Sequence, residues 1–131
     1  MKKTGEYKDM AHSARNPSYR EIVNESFARQ GLMRTLGAEI VDVEPGRCTI
    51  AAPIRPESAQ QHGYAHAGTS FALGDSACGY AALSLQEAGV EVLTSEMKIH
   101  LLAPATGERL VARGEVLRAG RRLVVARADI F

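Results

Sequence analysis

The hydrophobic and polar positions along the chain follow two different periods, and each change of period marks a new element. Residues 1–17 are polar and predict a flexible N-terminal arm. In residues 18–30 the apolar positions recur at helical spacing, and Ser18 and Glu21 have the spacing of a capping box. Gly31 is a typical stop signal. The pattern therefore predicts an N-terminal helix over 18–30, which a short turn over 32–36 extends.

The period then changes to two, which is typical of half-buried strands. Strands are predicted over 38–43 and 48–54, joined by the turn residues 44–47 into a hairpin. Three later segments alternate in the same way, at 91–103, 108–117 and 122–131. The first of these places Leu93, Met97, Ile99 and Leu101 on one face.

A long apolar segment lies between the hairpin and the later strands. From His62 to Leu85 the one formally charged residue is Asp75, so residues 68–86 predict a helix that is buried on all sides. A membrane span is disfavoured because Gly, Ser and Asp interrupt the segment. One apolar helix and a long antiparallel sheet bury the most apolar surface when the sheet wraps around the helix. The prediction is an α+β hotdog fold, with an N-terminal helix and a single domain over 18–131.

Composition and charge narrow the class of protein. Hydrophobic residues make up 45% and charged residues 24%, as in an ordinary globular domain. The net charge of +1, the seven Phe and Tyr residues and the lack of Trp do not favour a nucleic-acid partner. Two cysteines are too few for a disulfide framework, and no apolar core follows the N-terminal lysines to predict a signal peptide. The expectation is a cytoplasmic protein with no membrane partner.

The candidate chemistry is concentrated where a loop rich in His and Gly, residues 60–68, meets the central helix. Backbone N–H groups at a helix start lack intrahelical partners and carry partial positive charge, so they can stabilise an oxyanion. Asp75 lies two turns further along, among apolar neighbours. A desolvated carboxylate is a stronger base than an exposed one. A structural role, in which Asp75 caps a neighbouring loop, is about equally favoured by composition alone.

The spacing within the helix bears on assembly. Gly68 and Asp75 are seven residues apart, which is roughly 10 Å along a helix at about 1.5 Å per residue. One reacting carbonyl is therefore not expected to contact both within one chain. If both serve one site, they come from different subunits of a homodimer.

Other candidate residues have simpler interpretations. A zinc site at His62 and His66 is disfavoured because a glycine lies between them and no carboxylate or Cys follows at ligand spacing, so no metal is predicted. Cys78 is interpreted as a small core residue. Arg121 and Arg122 in a Gly-containing turn are more often solvated, but they could also hold an anion.

Several motifs match one family in order along residues 31–131. They are Leu36-Gly37-Ala38, Val43-Glu44-Pro45-Gly46, His66-x-Gly68, Leu73-x-Asp75, Gly79-Tyr80-Ala81, Thr94, Leu101-x-x-Pro104-Ala105-x-x-Gly107 and Arg118-Ala119-Gly120-Arg121-Arg122. Together they resemble the hotdog-fold acyl-coenzyme A thioesterases of the phenylacetic-acid-degradation type (PaaI-like).

This resemblance implies roles for individual residues. Asp75 corresponds to the catalytic acid that activates water or attacks the thioester, and Thr94 to a residue that orients the water. His66, Ala67 and Gly68 correspond to the loop that positions the thioester and supplies the oxyanion N–H. Ala67 replaces a glycine of the family, and its N–H remains a donor if φ is negative there. Gln60 replaces an Asn that holds the water or the carbonyl.

The resemblance also implies an acyl-coenzyme A substrate, no cofactor or metal, and a homodimer that pairs into a homotetramer. The candidate residues for binding substrate are Arg118, Arg121, Arg122, Phe71, Tyr80 and Met97. Two other functions stay open at this point. One is a non-catalytic acyl-coenzyme A binding protein, and the other is a hotdog-fold dehydratase in which His66 and Asp75 act as base and acid.

Overall fold

The computed structural model describes residues 11–131, so residues 1–10 of the predicted arm lie outside the described residues. Two helices come first, α1 (Tyr19–Ala28) and α2 (Gly31–Leu36), followed by strands β1 (Glu39–Glu44) and β2 (Arg47–Pro53). A 3₁₀ turn (Pro56–Ser58) precedes the long helix α3 (Ala67–Leu83), and strands β3 (Arg109–Ala119) and β4 (Val124–Ile130) complete the order.

The four strands form one antiparallel sheet in the order β1-β2-β3-β4. Glu44 pairs with Arg47, so Pro45 and Gly46 form a two-residue turn, and Gly46 supplies the positive φ of 78° that this turn requires. Helix α3 packs across β2, β3 and β4. The sheet thus wraps around the central helix, and the predicted hotdog fold is confirmed.

The core lies between α3 and the inner face of the sheet. Leu73 and Ala77 of α3 are fully buried, as are Ile50 of β2 and Ala112 of β3. At Gly114 a Cβ would lie 2.5 Å from the backbone carbonyl of Ala77, so the strand and helix backbones are in direct contact there. This contact needs glycine, and it fixes the middle of α3 against the sheet.

The start of α1 differs from the prediction. The Ser18 side chain makes no capping hydrogen bond, and instead its backbone N–H donates to Asn16 Oδ1 at 3.0 Å. The predicted capping box with Glu21 is therefore wrong, because the Asn16 side chain serves the helix start from outside. Gly31 begins α2 rather than ending the first helix, which stops at Ala28.

The predicted strand over 91–103 is also wrong. Within the part of the chain that the structure describes, no backbone N–H or C=O of this segment makes a hydrogen bond, so no ladder is formed. Alternation alone cannot make a strand without a paired neighbour. Met97 and Ile99 are half-buried as predicted, whereas Leu93 is 93% and Leu101 59% exposed. We call residues 91–103 the Thr94 segment.

Helix α1 is attached to α3 through a polar contact. The hydroxyl of Tyr80, a buried residue of α3, accepts a hydrogen bond from Gln30 Nε2 at 2.8 Å and lies 3.2 Å from Ser26 Oγ. Phe27 packs edge-on against the same ring, with centroids 5.9 Å apart. Among residues 11–131 no helix combines the length and apolar character needed to cross a membrane.

Candidate active site

The start of α3 leaves one backbone donor free. His66 is the N-cap, and its Nδ1 accepts the Gly68 N–H at 2.7 Å, so that donor is occupied. The Thr69 N–H donates to the His66 carbonyl at 2.8 Å. The Ala67 N–H has no acceptor among the described residues, and its φ is negative, as in every other described non-glycine residue. Ala67 is therefore unstrained and presents the free N–H that an oxyanion site needs.

The loop before this helix start, which we call the His66 loop (residues 58–68), is tied down by its own hydrogen bonds. The His66 N–H donates to the Ser58 carbonyl at 2.9 Å, and Thr69 Oγ1 donates to the same oxygen at 3.1 Å. The Ala65 N–H donates to the Ala105 carbonyl at 3.0 Å. These bonds set the direction in which the Ala67 N–H points before any ligand binds.

Gln60 closes the tip of the His66 loop. Its Oε1 accepts the backbone N–H of His62 at 2.5 Å and that of Tyr64 at 3.3 Å. Its backbone N–H donates to the Tyr64 carbonyl at 2.8 Å. The Nε2 amide has no partner within residues 11–131, so it remains a donor that could serve a ligand.

Asp75 lies half-buried in the middle of α3. Its Oδ1 accepts a hydrogen bond from Thr94 Oγ1 at 2.6 Å, and this is the one hydrogen bond to its carboxylate within the described chain. The carboxylate is thus tied to the side chain of Thr94, and no backbone N–H of the described chain donates to it. One oxygen accepts from Thr94, and the other has no hydrogen-bond partner among the described residues.

A cavity of 1070 Å³ adjoins Asp75, between α3, residues 90–106 and residues 120–131. Cys78, one turn beyond Asp75, contributes to its wall. Burial raises the pKa of the Cys78 thiol to about 11, and the Asp75 carboxylate contributes in the same direction. A thiol with that pKa is protonated at neutral pH, which makes Cys78 a poor nucleophile there.

Nine of the twelve predicted site residues fall into two groups in one chain. Those that line the cavity are Asp75, Thr94, Met97, Arg121 and Arg122. Those in the His66 loop and at the start of α3 are Gln60, His66, Ala67 and Gly68, and none of these belongs to the cavity lining within the described residues. Ala67 and Asp75 lie in one unbroken helix, so roughly 12 Å of helix separates them.

The remaining predicted substrate contacts lie elsewhere. Tyr80 is in the core against α1, Phe71 is exposed, and Arg118 is exposed at the end of β3. These three are absent from the described lining of the cavity, and their roles stay predictions.

Sequence reasoning had not placed Ser70, Cys78, Gly79 or Ala82 in the site, and all four line the cavity. Cys78, Gly79 and Ala82 follow Asp75 by three, four and seven residues. That spacing puts them on its face of the helix and could have revealed them. Among the described residues, no group of three or more His, Cys, Asp and Glu side chains could hold a metal ion.

Comparison with known proteins gives the family. Residues 62–131, more than half of the chain, match the family model of the Thioesterase superfamily. A thioesterase family protein from Silicibacter pomeroyi has 49% sequence identity and a TM-score of 0.84, covering 86% of this chain and 82% of that one. A variant of the phenylacetic acid degradation protein PaaI from Thermus thermophilus has 28% identity and a TM-score of 0.65, covering 78% and 86%.

One curated relative carries a substrate in its name. The 1,4-dihydroxy-2-naphthoyl-CoA hydrolase of Listeria monocytogenes is 30% identical over 70% of this chain and 74% of its own length. With the fold and the family match, this relative defines the class. The chain belongs to the Thioesterase superfamily, as a hotdog-fold thioester hydrolase of the PaaI type.

Proposed function

We propose that this protein hydrolyses an acyl-coenzyme A thioester to the free acid and coenzyme A. The observation that carries the proposal is the pairing of an oriented carboxylate with an unoccupied helix-start N–H. Thr94 holds Asp75 at 2.6 Å beside the cavity, and the Ala67 N–H is left without an acceptor among the described residues. A carboxylate base and an oxyanion donor are the two groups that acyl transfer to water requires.

The chemistry assigns one task to each group. Asp75 removes a proton from water as the water oxygen bonds to the thioester carbon. The Ala67 N–H stabilises the negative charge that develops on the carbonyl oxygen. When the tetrahedral intermediate collapses, the C–S bond breaks and the proton passes to the coenzyme A thiolate. Direct attack by Asp75 would give an anhydride, which water then opens to the same products.

The separation of the two groups points to a shared site. Ala67 and Asp75 are eight residues apart in one continuous helix, which is roughly 12 Å and too far for one carbonyl. The proposal therefore has Asp75 of one protomer act with the His66 loop of its partner. The proposed assembly is therefore a homodimer or a dimer of dimers. The proposed compartment of the enzyme is the cytoplasm. Light scattering that finds an active monomer would contradict it.

Gln60 and the arginines fit the ends of such a substrate. The free Nε2 of Gln60 can donate to the thioester carbonyl or to the attacking water. Arg121 and Arg122 are exposed in the wall of the cavity and suit the phosphates of coenzyme A. Charge reversal at Arg121 and Arg122 together should raise KM roughly tenfold and leave kcat nearly unchanged, because these contacts bind substrate and transition state equally. An unchanged KM would mean that both arginines are solvated and do not bind the substrate.

The proposal is tested by release of free thiol from a panel of acyl-coenzyme A esters. The panel includes acetyl, hexanoyl, benzoyl and phenylacetyl esters, and the 1,4-dihydroxy-2-naphthoyl ester for which the Listeria relative is named. An Asp75→Asn protein purified in the same way controls for contaminating thioesterases. Thiol release from any ester, absent in the variant, supports the proposal.

Two results would favour the other functions. Thermal stabilisation by coenzyme A esters without turnover would indicate a binding protein. Hydration of an enoyl-coenzyme A without thiol release would indicate a dehydratase.

A further inference from the structure

Helix α3 contains two interior glycines, and one of them is packed against other segments. Glycine weakens a helix interior relative to alanine, so such a position calls for a reason. A Cβ on Gly79 would meet no heavy atom within 4 Å beyond its own helix backbone, whereas at Gly74 it would lie 2.9 Å from Ile130 Cδ1 and 3.2 Å from Met97 Cε. Gly74 is therefore the point at which β4 and the Thr94 segment both lie against the α3 backbone.

The contact at Gly74 lies beside the proposed base. Gly74 immediately precedes Asp75, and Met97 follows Thr94 by three residues. Thr94 Oγ1 donates to Asp75 Oδ1 at 2.6 Å. In a regular strand the side chains at 94 and 97 would point to opposite faces, whereas here both reach α3. This double contact joins the middle of the Thr94 segment to two neighbouring residues of the helix.

Few other contacts hold the middle of the Thr94 segment. Within the described chain its backbone makes no hydrogen bond, and Thr94 is exposed. Apolar packing against the core occurs near the two ends of the segment, at Val92 and Ala105. The position of the Thr94 hydroxyl therefore depends on how closely Met97 can approach α3, and a side chain at residue 74 would hinder that approach.

We propose that Gly74 is a positioning residue of this site. By leaving room for the Met97 methyl group, it lets the Thr94 segment lie close enough to α3 for the Thr94 hydroxyl to hold Asp75. Gly74 is absent from the described lining of the cavity, so it acts through Met97 and Thr94 rather than on substrate. The inference rests on the proposed thioesterase function, in which Asp75 takes a proton from water. A carboxylate that is held less firmly presents its free oxygen to water less often, which lowers the rate of proton transfer.

The test adds one methyl group at this contact. Gly74→Ala is compared with Gly31→Ala, because Gly31 is also a helical glycine, has nothing within 4 Å and lies on α2, outside the described lining of the cavity. Each change is made in the wild-type chain and in Thr94→Val. For every protein kcat and KM are measured with the ester of the panel that the wild type hydrolyses fastest, and the melting temperature is recorded. Met97→Ala removes the same contact without crowding and serves as a second variant if Gly74→Ala does not fold.

The expected result is a loss of kcat that depends on Thr94. In the wild-type chain Gly74→Ala should lower kcat roughly three- to tenfold and leave KM within about twofold, because it disturbs the base and not substrate binding. In Thr94→Val the same change should lower kcat by less than about twofold further, because the hydroxyl that it displaces is already gone. The melting temperature should stay within a few degrees of wild type, since the atoms that must move end flexible side chains and alanine favours a helix. Gly31→Ala should leave kcat and KM unchanged.

Methyl NMR spectra report the same contact without any substrate. The Met97 ε-methyl and the Ile130 δ-methyl both lie near residue 74, so a nuclear Overhauser effect should connect them in the wild-type protein. Gly74→Ala should weaken this effect and shift the resonance of the Thr94 γ-methyl, because the segment moves away from α3. Gly31→Ala should change neither.

Other results would overturn the inference. Full kcat in Gly74→Ala, or equal losses in the wild-type and Thr94→Val chains, would mean that Gly74 does not act through Thr94. A raised KM with kcat unchanged would mean that Met97 contacts substrate and that the crowding disturbs binding instead. Failure of the proposed function looks different, because the wild-type protein would then hydrolyse no ester. The NMR spectra would still decide the contact, since a shifted Thr94 resonance in Gly74→Ala supports the inference and an unmoved one overturns it.

Discussion

The two segments that bring chemistry to α3 are held in opposite ways. The His66 loop is fixed by backbone hydrogen bonds, from His66 to Ser58 at 2.9 Å and from Ala65 to Ala105 at 3.0 Å. The Thr94 segment makes no backbone hydrogen bond to the described chain, and Thr94 itself contacts α3 through a single side-chain bond of 2.6 Å to Asp75. The proposed oxyanion side is thus organised in advance by the chain, whereas the proposed base, Asp75, borders an open cavity.

This contrast has a physical consequence. A donor that is already oriented needs no reorganisation when charge develops on the substrate. Oxyanion sites lower the activation barrier because of this preorganisation. The Thr94 segment has an unpaired backbone and exposed apolar side chains such as Leu93 and Leu102. A further contact would therefore stabilise this segment the most. Substitutions on α3 and in the segments that flank it can test the two sides separately.

Removing the charge of Asp75 tests the role of the proposed base most directly. Asp75→Asn should lower kcat by roughly 10² to 10⁴, the contribution of a positioned general base. The melting temperature should be unchanged or raised, because the amide oxygen can still accept from Thr94 and a half-buried charge is gone. Thiol release measures kcat, and a melting curve measures the melting temperature. Full activity in this variant would remove Asp75 from the mechanism.

Removing one backbone donor tests the oxyanion side. Ala67 is the first residue of α3 and follows His66 at φ −59° and ψ 142°, a conformation that suits a residue before proline. Proline is favoured at this helical position, so Ala67→Pro should fold normally while lacking the N–H. The expected loss in kcat is about 10² to 10³. Ala67→Gly keeps the N–H and should retain most of the activity.

Mixing these two variants tests whether the sides come from different protomers. In a heterodimer of Asp75→Asn and Ala67→Pro, one shared site would have both defects and the other none. Co-expression of the two inactive chains should then restore about a quarter of the wild-type activity per chain, given random pairing in a twofold dimer. No recovery in a sample shown to contain heterodimers would place both groups in one protomer.

Thiol labelling reports on the environment next to Asp75. With a pKa of about 11 against an ordinary value of 9.0, Cys78 should react with iodoacetamide at pH 8 roughly 100-fold more slowly than an ordinary thiol. The rate should rise with pH towards 11 as the thiolate forms. It should also rise in Asp75→Asn, because one cause of the high pKa is removed. Cys78→Ala provides the background rate, since burial raises the pKa of Cys48 to about 12.

The smallest effect is expected from Thr94. Thr94→Val removes the hydroxyl that orients Asp75 and should lower kcat about tenfold with little change in KM, as for a positioning group. Thr94→Ser keeps the hydroxyl and should restore most of the loss. The melting temperature should hold in both variants, because Thr94 is exposed and outside the core. A matching loss in the serine variant would mean that the methyl group, rather than the hydrogen bond, matters.

The elements that could be predicted from the amino-acid pattern are those whose signals are local. Its period-two pattern at 38–54 with Pro45 and Gly46 gave the first hairpin, and the nearly uncharged stretch around Asp75 gave the buried central helix. The motifs also indicated the family, because their order along the chain matches the order of the elements in the fold. The predicted capping box was wrong because Asn16, which lies outside the helix, accepts the Ser18 N–H.

Tertiary structure alone decided the rest. The alternating pattern of the Thr94 segment could not show that it lacks a hydrogen-bonded neighbour, because a ladder depends on what lies beside a strand. The motif around Ala67 could not show that His66 takes the Gly68 N–H and leaves that of Ala67 free. Nor could the small residues around Asp75 show that Gly74 lies against Ile130 and Met97 whereas Gly79 faces open space. The first and the last of these depend on which residues far apart in the chain come together, whereas the His66 cap is a contact over two residues whose geometry is set by the folded loop.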